Sequence, residues 1–210
     1  MASRPVLWTS AFTSGLTAHL AAAEAGADYE IRFISLRKGE HQGAEFRAVN
    51  PKAQVPALQL GPGGRVITEV PAIVTYIART HPAAGLLPDE PEEQAGTLEW
   101  VAWVHWWTAS ALQPFFAPRR FHPDEAGVKQ AATARLREAY AHAEASLEGK
   151  EWIAGGPQRT LADLALFFLA SAHRPLGVAL EEFPRLAAHQ ARVAALPGVQ
   201  AALRREREQG

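Results

Sequence analysis

The stretch "NPKAQVPALQL" at residues 50–60, followed by "ITEVPAIVTYIA" at residues 67–78, decides the fold. Val55 and Pro56 begin a short apolar run, and a proline, which has no N–H to donate, fits the start of a strand at a sheet edge. A Gly-Pro-Gly-Gly turn separates this run from a second one, so the two runs predict an antiparallel β-hairpin. The apolar spacing that follows is typical of a helix.

Short strand and helix signals alternate through the N-terminal part of the chain. The predicted elements are a strand at 4–9, a helix at 14–25, a strand at 29–35, a short helix near 43–48, strands at 55–60 and 65–68, and a helix at 69–80. This order, βαβαββα, predicts an α/β unit with a mixed sheet.

The rest of the chain has helical periodicity. Helices are predicted at about 92–116, 124–148, 160–173, 184–195 and 198–207. The helix at 160–173 is apolar nearly all round, which predicts a buried central helix, and Thr160 and Asp163 have capping-box spacing at its start. We therefore predict an α/β domain at 1–81, a proline-rich linker at 82–91 and an all-α domain at 92–210.

Composition excludes several functional classes. The chain of 210 residues has a formal net charge of -1, so no strong field would attract nucleic acid or anionic lipid. With no cysteine, it forms no disulfide, thiolate metal site or protein thiol nucleophile, and its eight histidines show no metal-binding cluster, so no metal is expected. It lacks a signal-peptide layout and a membrane-spanning run, and we expect a cytoplasmic protein.

Taken together, these motifs resemble the glutathione transferase family, most of all its bacterial beta class. "HLAAAEAGADYEI" at 19–31 is similar to the family's first helix and second strand, and "LPGVQAAL" at 196–203 to its C-terminal helix. The resemblance implies a thioredoxin-like N-terminal domain and an all-helical C-terminal domain. It also implies glutathione as co-substrate, without a metal, and a homodimer.

The resemblance also implies how Val55 and Pro56 bind glutathione. A cis bond between them would leave the N–H and C=O of Val55 at the sheet edge, where they pair with the cysteinyl unit of glutathione as an added strand. Gln54 is assigned to the γ-glutamyl end and Lys38 to the glycyl end.

Glu69 and Val70 are placed at the start of a helix, where free N–H groups and the helix dipole attract a carboxylate. In the family, the acidic side chain takes the γ-glutamyl ammonium and the next N–H takes the carboxylate. Here Val70 lacks the hydroxyl often found at its position, and Pro71 lacks an N–H. The Val70 N–H remains available for this contact.

Transferase chemistry requires glutathione as a thiolate, because the thiolate is the nucleophile. Stabilising the anion by ~1.4–2.7 kcal/mol is sufficient at neutral pH, and one hydrogen bond to a charged acceptor contributes ~1.5–3 kcal/mol. A single well-aimed hydroxyl therefore suffices. "VLWTSAFTSGLTAHL" at 6–20 supplies Thr9, Ser10, Thr13 and Ser14.

In the family alignment, Ser14 occupies the position of the beta-class active cysteine and Thr9 that of an upstream tyrosine. A serine forms no mixed disulfide with glutathione, so conjugation or peroxide reduction through glutathione's own thiol is predicted. We assign the catalytic hydroxyl to Ser14, with Thr13 and then Ser10 as alternatives. Ser14 is also predicted to be the N-cap of the first helix, and Thr9 to be structural.

The helix "LEWVAWVHWWTASALQPFF" at 98–116 carries four tryptophans, of which Trp100, Trp103 and Trp107 share a face, as in core or interface packing. The resemblance implies that this helix lines a pocket for the electrophile. Its predicted lining residues are Phe12, Trp106, Ser110, Gln113 and Phe116. The beta class carries His-Lys where this chain has Ala109-Ser110, which predicts an apolar pocket, and His105 is predicted to be a helix-face histidine rather than a base.

The leading hypothesis is a glutathione transferase that acts on a small hydrophobic electrophile and also reduces organic peroxides. One alternative is a non-catalytic interaction or ligand-binding protein of the same fold, since fold alone does not fix function. Another is a glutathione-dependent isomerase or lyase. The Ser-Ser-Cys-Ser loop typical of the zeta-type isomerase is missing from this sequence.

Overall fold

The computed structural model describes residues 4–209, so the first three residues of the predicted α/β domain and the final glycine lie outside the described part. Its contacts form two compact units. One contains the residues up to Leu87 together with those from Ala195 onward, and the other contains Pro88–Ala194. The domain boundaries at 81 and 92 stay a prediction. The C-terminal helix, which the sequence places with the helical domain, makes its contacts in the first unit.

The first unit has the predicted order of strands and helices. Its elements are β1 (Val6–Thr9), α1 (Leu16–Glu24), β2 (Glu30–Phe33), α2 (Ala44–Val49), β3 (Ala57–Gln59), β4 (Val66–Thr68) and α3 (Val70–Thr80). The C-terminal helix of this unit runs from Pro197 to Gln209. The predicted strand and helix types are confirmed, and the strands are shorter than their apolar runs.

The four strands form one mixed sheet in the order β2-β1-β3-β4. β1 pairs with β2 in parallel, whereas β1 with β3 and β3 with β4 are antiparallel, so the predicted hairpin is confirmed. The two central strands are the most apolar, and Leu7, Ala57 and Leu58 are fully buried. The fold is thioredoxin-like, with the β1–α1 loop and the residues before β3 at neighbouring positions.

The second unit is helical, and within residues 88–194 the structure contains no strand. Its helices are α4 (Pro91–Phe116), α5 (Glu125–Ser146), α6 (Leu161–Ser171), α7 (His173–Leu176) and α8 (Pro184–Ala194). The helix Pro197–Gln209 of the first unit is accordingly α9. The predicted helix at 160–173 ends at Ser171, where the Ala172 N–H donates to the Leu169 carbonyl, and α7 begins at His173.

α6 is the centre of the second unit, and every residue from Leu161 to Ala170 is buried. The predicted capping box is confirmed. The Thr160 N–H donates to Oδ2 of Asp163 at 2.7 Å. The other oxygen, Oδ1, accepts the N–H of Ile153 at 2.8 Å and lies 2.8 Å from Nε2 of His189. This one buried carboxylate therefore joins α6 to α8 and to the segment before α6.

Replacing Asp163 with alanine removes these contacts and leaves two buried backbone N–H groups without an acceptor and Nε2 of His189 without a partner. We expect Asp163→Ala to lower the free energy of unfolding by about 3–5 kcal/mol, measured by urea titration followed by circular dichroism. Glu138→Ala on the exposed face of α5 is the matched control and should change it by less than about 0.5 kcal/mol. Equal stability of the two variants would contradict this account.

Candidate functional site

The hydroxyl-rich loop between β1 and α1 meets the residue before Pro56. Ser14 Oγ donates a long hydrogen bond of 3.5 Å to the carbonyl oxygen of Val55. Thr13 Oγ1 instead donates to the carbonyl of Ser10 at 2.7 Å, within its own loop. The structure therefore brings Ser14 and Val55 together, two residues predicted from distant parts of the sequence.

The other two hydroxyl residues of this loop are more enclosed. Thr9 is fully buried and its Oγ1 donates to the Ser10 carbonyl at 3.4 Å, while Ser10 itself is buried. The predicted N-cap role of Ser14 is wrong, because Gly15 occupies the N-cap of α1 and no side chain caps it. The Leu16 N–H is satisfied by the backbone carbonyl of Thr13 at 2.9 Å, so the Ser14 hydroxyl turns towards Val55 instead.

Gly15 allows the loop to approach the strand that begins after Pro56. A Cβ atom on Gly15 would lie 2.1 Å from Oγ1 of Thr9 and 3.3 Å from Cβ of Pro56. The first distance is a clash, so only glycine fits between the buried Thr9 hydroxyl and the proline ring. The sequence reveals the glycine but not the neighbours that require it.

The bond between Val55 and Pro56 is cis, as the resemblance implied. Val55 is half-buried, and its N–H makes no hydrogen bond to any of residues 4–209. The turn before it is held by buried Asn50, whose Nδ2 donates to the carbonyl of Gln54 at 2.6 Å. Asn50 is thus a positioning residue that the sequence did not reveal. The side chain of Gln54, next to Val55, is exposed.

Glu69 and Val70 begin α3, with Glu69 at its N-cap and Val70 as its first residue. Glu69 has a φ of 70°, in the left-handed region that a residue with a side chain rarely adopts. Its carboxylate is paired with Nζ of Lys52, which also donates to Oγ1 of Thr68 at 2.7 Å. The predicted ammonium acceptor therefore already has a cationic partner, which the sequence pattern gave no reason to expect.

Lys38 lies in an exposed turn after β2. Its backbone N–H donates to Ser35 Oγ at 3.2 Å. Among the described residues, its ammonium has no hydrogen-bond or ion-pair partner. No hydrogen bond or ion pair joins Lys38 to Ser14 or Val55.

A carboxylate from α9 fixes the hydroxyl-rich loop. Glu206 is fully buried, and its Oε2 accepts the backbone N–H of Phe12 at 2.8 Å. Its Oε1 lies 2.6 Å from Nδ1 of buried His19, whose ring makes an edge contact with Phe33. Phe12 has a φ of 54°, so this contact stabilises an uncommon backbone conformation two residues before Ser14. Sequence reasoning missed Glu206, which lies in a charged run typical of an exposed helix face.

The predicted pocket residues of the second unit lie towards the end of α4. Trp106 is 62% exposed and Phe116 66% exposed, and Gln113 is exposed as well. Ser110 Oγ donates to the carbonyl of Trp107 at 2.7 Å and accepts a hydrogen bond from Nε of Arg135. Phe12 belongs to the first unit and is 47% exposed.

His105 packs inside the second unit. Its ring stacks on Phe168 at a centroid distance of 5.5 Å, and its buried Nε2 has no partner within the described chain. Burial lowers the pKa of His105 to about 4, so the ring is neutral at neutral pH.

No group of three or more His, Asp or Glu side chains in residues 4–209 is arranged to hold a metal ion. Among the same residues, no helix has the length and apolar character required to cross a membrane.

Comparison with known proteins identifies the family. The family model described as "Glutathione S-transferase, N-terminal domain" matches residues 7–79, and the corresponding C-terminal domain model matches residues 105–197. The chain therefore belongs to the glutathione S-transferase family.

Individual relatives include both transferases and isomerases. Glutathione S-transferase GstA of Escherichia coli O157:H7 is 33% identical over 194 residues, which cover 91% of this chain and 93% of GstA. A maleylacetoacetate isomerase of Pseudomonas aeruginosa is 30% identical over 183 residues, 83% of each chain. A sphingomonad glutathione S-transferase, solved in complex with glutathione, is 32% identical with a TM-score of 0.85, covering 96% of this chain and 98% of its own.

If Glu206 holds the loop, its replacement should reduce stability and loosen the loop. We expect Glu206→Ala to lower the free energy of unfolding by about 3–5 kcal/mol, because His19 and the Phe12 N–H lose a buried partner. Urea unfolding measures the stability, and amide exchange at Phe12 reports the loop directly. The control is Glu208→Ala, at an exposed position of the same helix, which should change neither the free energy of unfolding nor the exchange at Phe12. Unchanged exchange at Phe12 in the Glu206→Ala variant would contradict the proposed role.

The buried imidazole of His105 should make stability depend on pH. Its pKa is about 4 in the folded chain, against 6.5 for a histidine in water. The unfolded state therefore binds the proton first, and the stability contributed by the neutral ring is lost as pH falls from 6.5 towards 4. We expect His105→Phe to remove about 3 kcal/mol of that pH dependence, measured by urea titration across this range. Exposed His122→Gln is the control, and parallel pH profiles for the native protein and His105→Phe would refute the assignment.

Proposed function

We propose that the protein is a glutathione transferase, which stabilises the thiolate of glutathione for attack on a small hydrophobic electrophile. The observation that carries the proposal is the meeting of Ser14 Oγ with the Val55 backbone at 3.5 Å. Family membership and the glutathione complex of the sphingomonad relative support glutathione as the co-substrate. The same thiolate would also reduce organic peroxides.

In this proposal, glutathione binds as a short antiparallel strand. Its cysteinyl unit pairs with the N–H of Val55, which has no other partner among the described residues, and with the Val55 carbonyl. The γ-glutamyl carboxylate binds the Val70 N–H at the start of α3, where the helix dipole favours an anion. The γ-glutamyl ammonium binds Glu69, and Gln54 contacts the same end.

Binding at Glu69 requires an exchange of partners. The ammonium of glutathione takes the place of Nζ of Lys52 beside the Glu69 carboxylate. Both side chains are substantially exposed, so the exchange costs little. Pro56 shapes the strand start, and Lys38 in its exposed turn is assigned to the glycyl carboxylate.

Ser14 is the proposed donor to the sulfur. Its present hydrogen bond to Val55 is long, at 3.5 Å, so little is lost when the hydroxyl rotates towards a thiolate. Thr13 already donates at 2.7 Å to Ser10, and Ser10 is buried, so both remain as alternatives behind Ser14. The sulfur then forms a bond to the electrophilic carbon, and the leaving group departs with the electron pair.

We assign the acceptor pocket to four of the lining residues predicted from the sequence, which all lie on α4: Trp106, Ser110, Gln113 and Phe116. The predicted contribution of Phe12 stays a prediction. Exposed aromatic rings at Trp106 and Phe116 support this assignment, because they offer apolar surface to a small substrate. The homodimer, the cytoplasmic location and the absence of nucleic-acid or membrane partners stay predictions.

The isomerase relative supports a second candidate reaction. In a glutathione-dependent isomerisation, the thiolate adds to a double bond and is eliminated after rotation, so glutathione is not consumed. The similarity to the maleylacetoacetate isomerase of Pseudomonas aeruginosa, 30% identical over 183 residues, favours this candidate. A substrate-dependent change in absorbance without loss of free thiol would identify it. The non-catalytic alternative would show neither reaction.

The Ser14 assignment is tested with a chlorodinitrobenzene-type electrophile. We expect Ser14→Ala to lower kcat/KM roughly 10- to 150-fold at neutral pH, because one hydrogen bond to the thiolate is lost. The pKa of the thiol of bound glutathione, followed by thiolate absorbance, should rise accordingly. Thr13→Val is the matched control and should retain activity. If Ser14→Ala keeps full activity, the donor is Thr13 or Ser10, and if the native protein neither binds glutathione nor turns over an electrophile, the enzyme proposal fails.

A further inference from the structure

Cationic side chains of α5 lie over aromatic rings of α4 in the second unit. The guanidinium carbon of Arg135 is 4.1 Å from the ring centroid of Trp107 and 4.9 Å from that of Trp106. Nζ of Lys129 likewise lies 5.8 Å from the ring centroid of Phe115. Such contacts are favourable because the negative face of an aromatic ring attracts a cation.

Arg135 is fixed by a hydrogen bond, but no carboxylate neutralises its charge. Its Nε donates to Ser110 Oγ, which donates in turn to the carbonyl of Trp107. No carboxylate among residues 4–209 forms an ion pair with it, and its Nη1 and Nη2 groups have no acceptor in that range. Arg137, two residues later, is instead paired with Glu182. Arg135 therefore offers a half-buried positive charge and free donors to a ligand.

Trp106 presents an open aromatic surface next to this charge. Its side chain is 62% exposed, although its ring meets Trp107 edge-on at 5.6 Å. Trp106, Ser110 and Gln113 follow the helical spacing of one face. A planar aromatic ligand would stack on the indole of Trp106, and an anionic substituent would then reach the guanidinium of Arg135.

We infer that Trp106 and Arg135 form a subsite that selects aromatic acceptor substrates carrying a negatively charged group, such as a carboxylate. The inference rests on the proposed function, in which Trp106 and Ser110 line the acceptor pocket. Ala109 and Ser110 of α4 led us to expect an apolar pocket. The inference changes this expectation, because Arg135 of α5 brings a positive charge to the pocket.

The selection is tested by binding, without glutathione and without a reaction. The probes are a dinitrobenzoate and its neutral methyl ester, and calorimetry gives the affinity of each. We expect the native protein to bind the carboxylate about tenfold more tightly than the ester at low ionic strength, with the preference decreasing as salt is added. Equal affinities for acid and ester in the native protein would overturn the inference.

Three arginine substitutions separate selection by charge from a general loss of binding. Arg135→Gln should abolish the preference for the acid, whereas Arg137→Gln removes the same charge from the same helix and should keep it. Arg135→Lys retains the charge without the planar fork, so it should keep part of the preference, and this variant serves if Arg135→Gln fails to fold. A preference that survives in Arg135→Gln refutes the assignment.

Trp106→Leu tests the aromatic half of the subsite. It should weaken the binding of acid and ester by a similar factor, because both stack on the same ring. Unchanged affinity for both probes in Trp106→Leu would remove Trp106 from the subsite.

A second assay distinguishes failure of the subsite from failure of the proposed function. Turnover with glutathione is measured for a chlorodinitrobenzoate and for its methyl ester. If the acid binds preferentially but neither compound reacts, the subsite stands and the transferase proposal fails. If both compounds react with equal kcat/KM and bind equally, the transferase proposal stands and the subsite is refuted.

Discussion

The geometry of the candidate site depends on one buried carboxylate near the C-terminus. Glu206 accepts the backbone N–H of Phe12 across 194 positions of sequence and lies against the ring of His19. A carboxylate buried without such partners would be strongly unfavourable, so these contacts and the placement of α9 stabilise one another. The loop that carries Ser14 is thereby fixed between the sheet and the C-terminal helix.

The other half of the site is fixed by a side-chain hydrogen bond and by close packing around a glycine. Asn50 holds the turn before Val55, and Gly15 leaves room for the loop beside Pro56. Together these contacts place the Ser14 hydroxyl at the Val55 carbonyl. In the proposed reaction the protein supplies a preorganised edge and one donor, while the nucleophile belongs to glutathione. Catalysis of this kind depends on positioning and on stabilisation of the anion.

Local sequence signals were sufficient for much of the fold. The hairpin around the Gly-Pro-Gly-Gly turn and the capping box at Thr160 and Asp163 depend on residues close in sequence, and the structure has both. The predicted helix ends were less accurate, since Gly15 and not Ser14 is the N-cap of α1 and α6 ends at Ser171. Such details depend on which of several adjacent residues finds a hydrogen-bond partner.

The parts of the site that could not be predicted are charged residues with tertiary partners. Glu206 lies in a run of arginines and glutamates, Lys52 in a loop and Arg135 on an amphipathic helix, and all three patterns are typical of solvated surface. Their roles follow from neighbours distant in sequence, such as Phe12 for Glu206 and Ser110 for Arg135. Periodicity and spacing carry no information about such pairs.

A crystal structure of the protein with bound glutathione tests the central claim most directly. We predict that the cysteinyl unit pairs with the N–H and C=O of Val55 and that the sulfur accepts a hydrogen bond from Ser14 Oγ. A sulfur that lies closest to Thr13 or Ser10, or a cysteinyl unit that does not pair with Val55, would contradict the account.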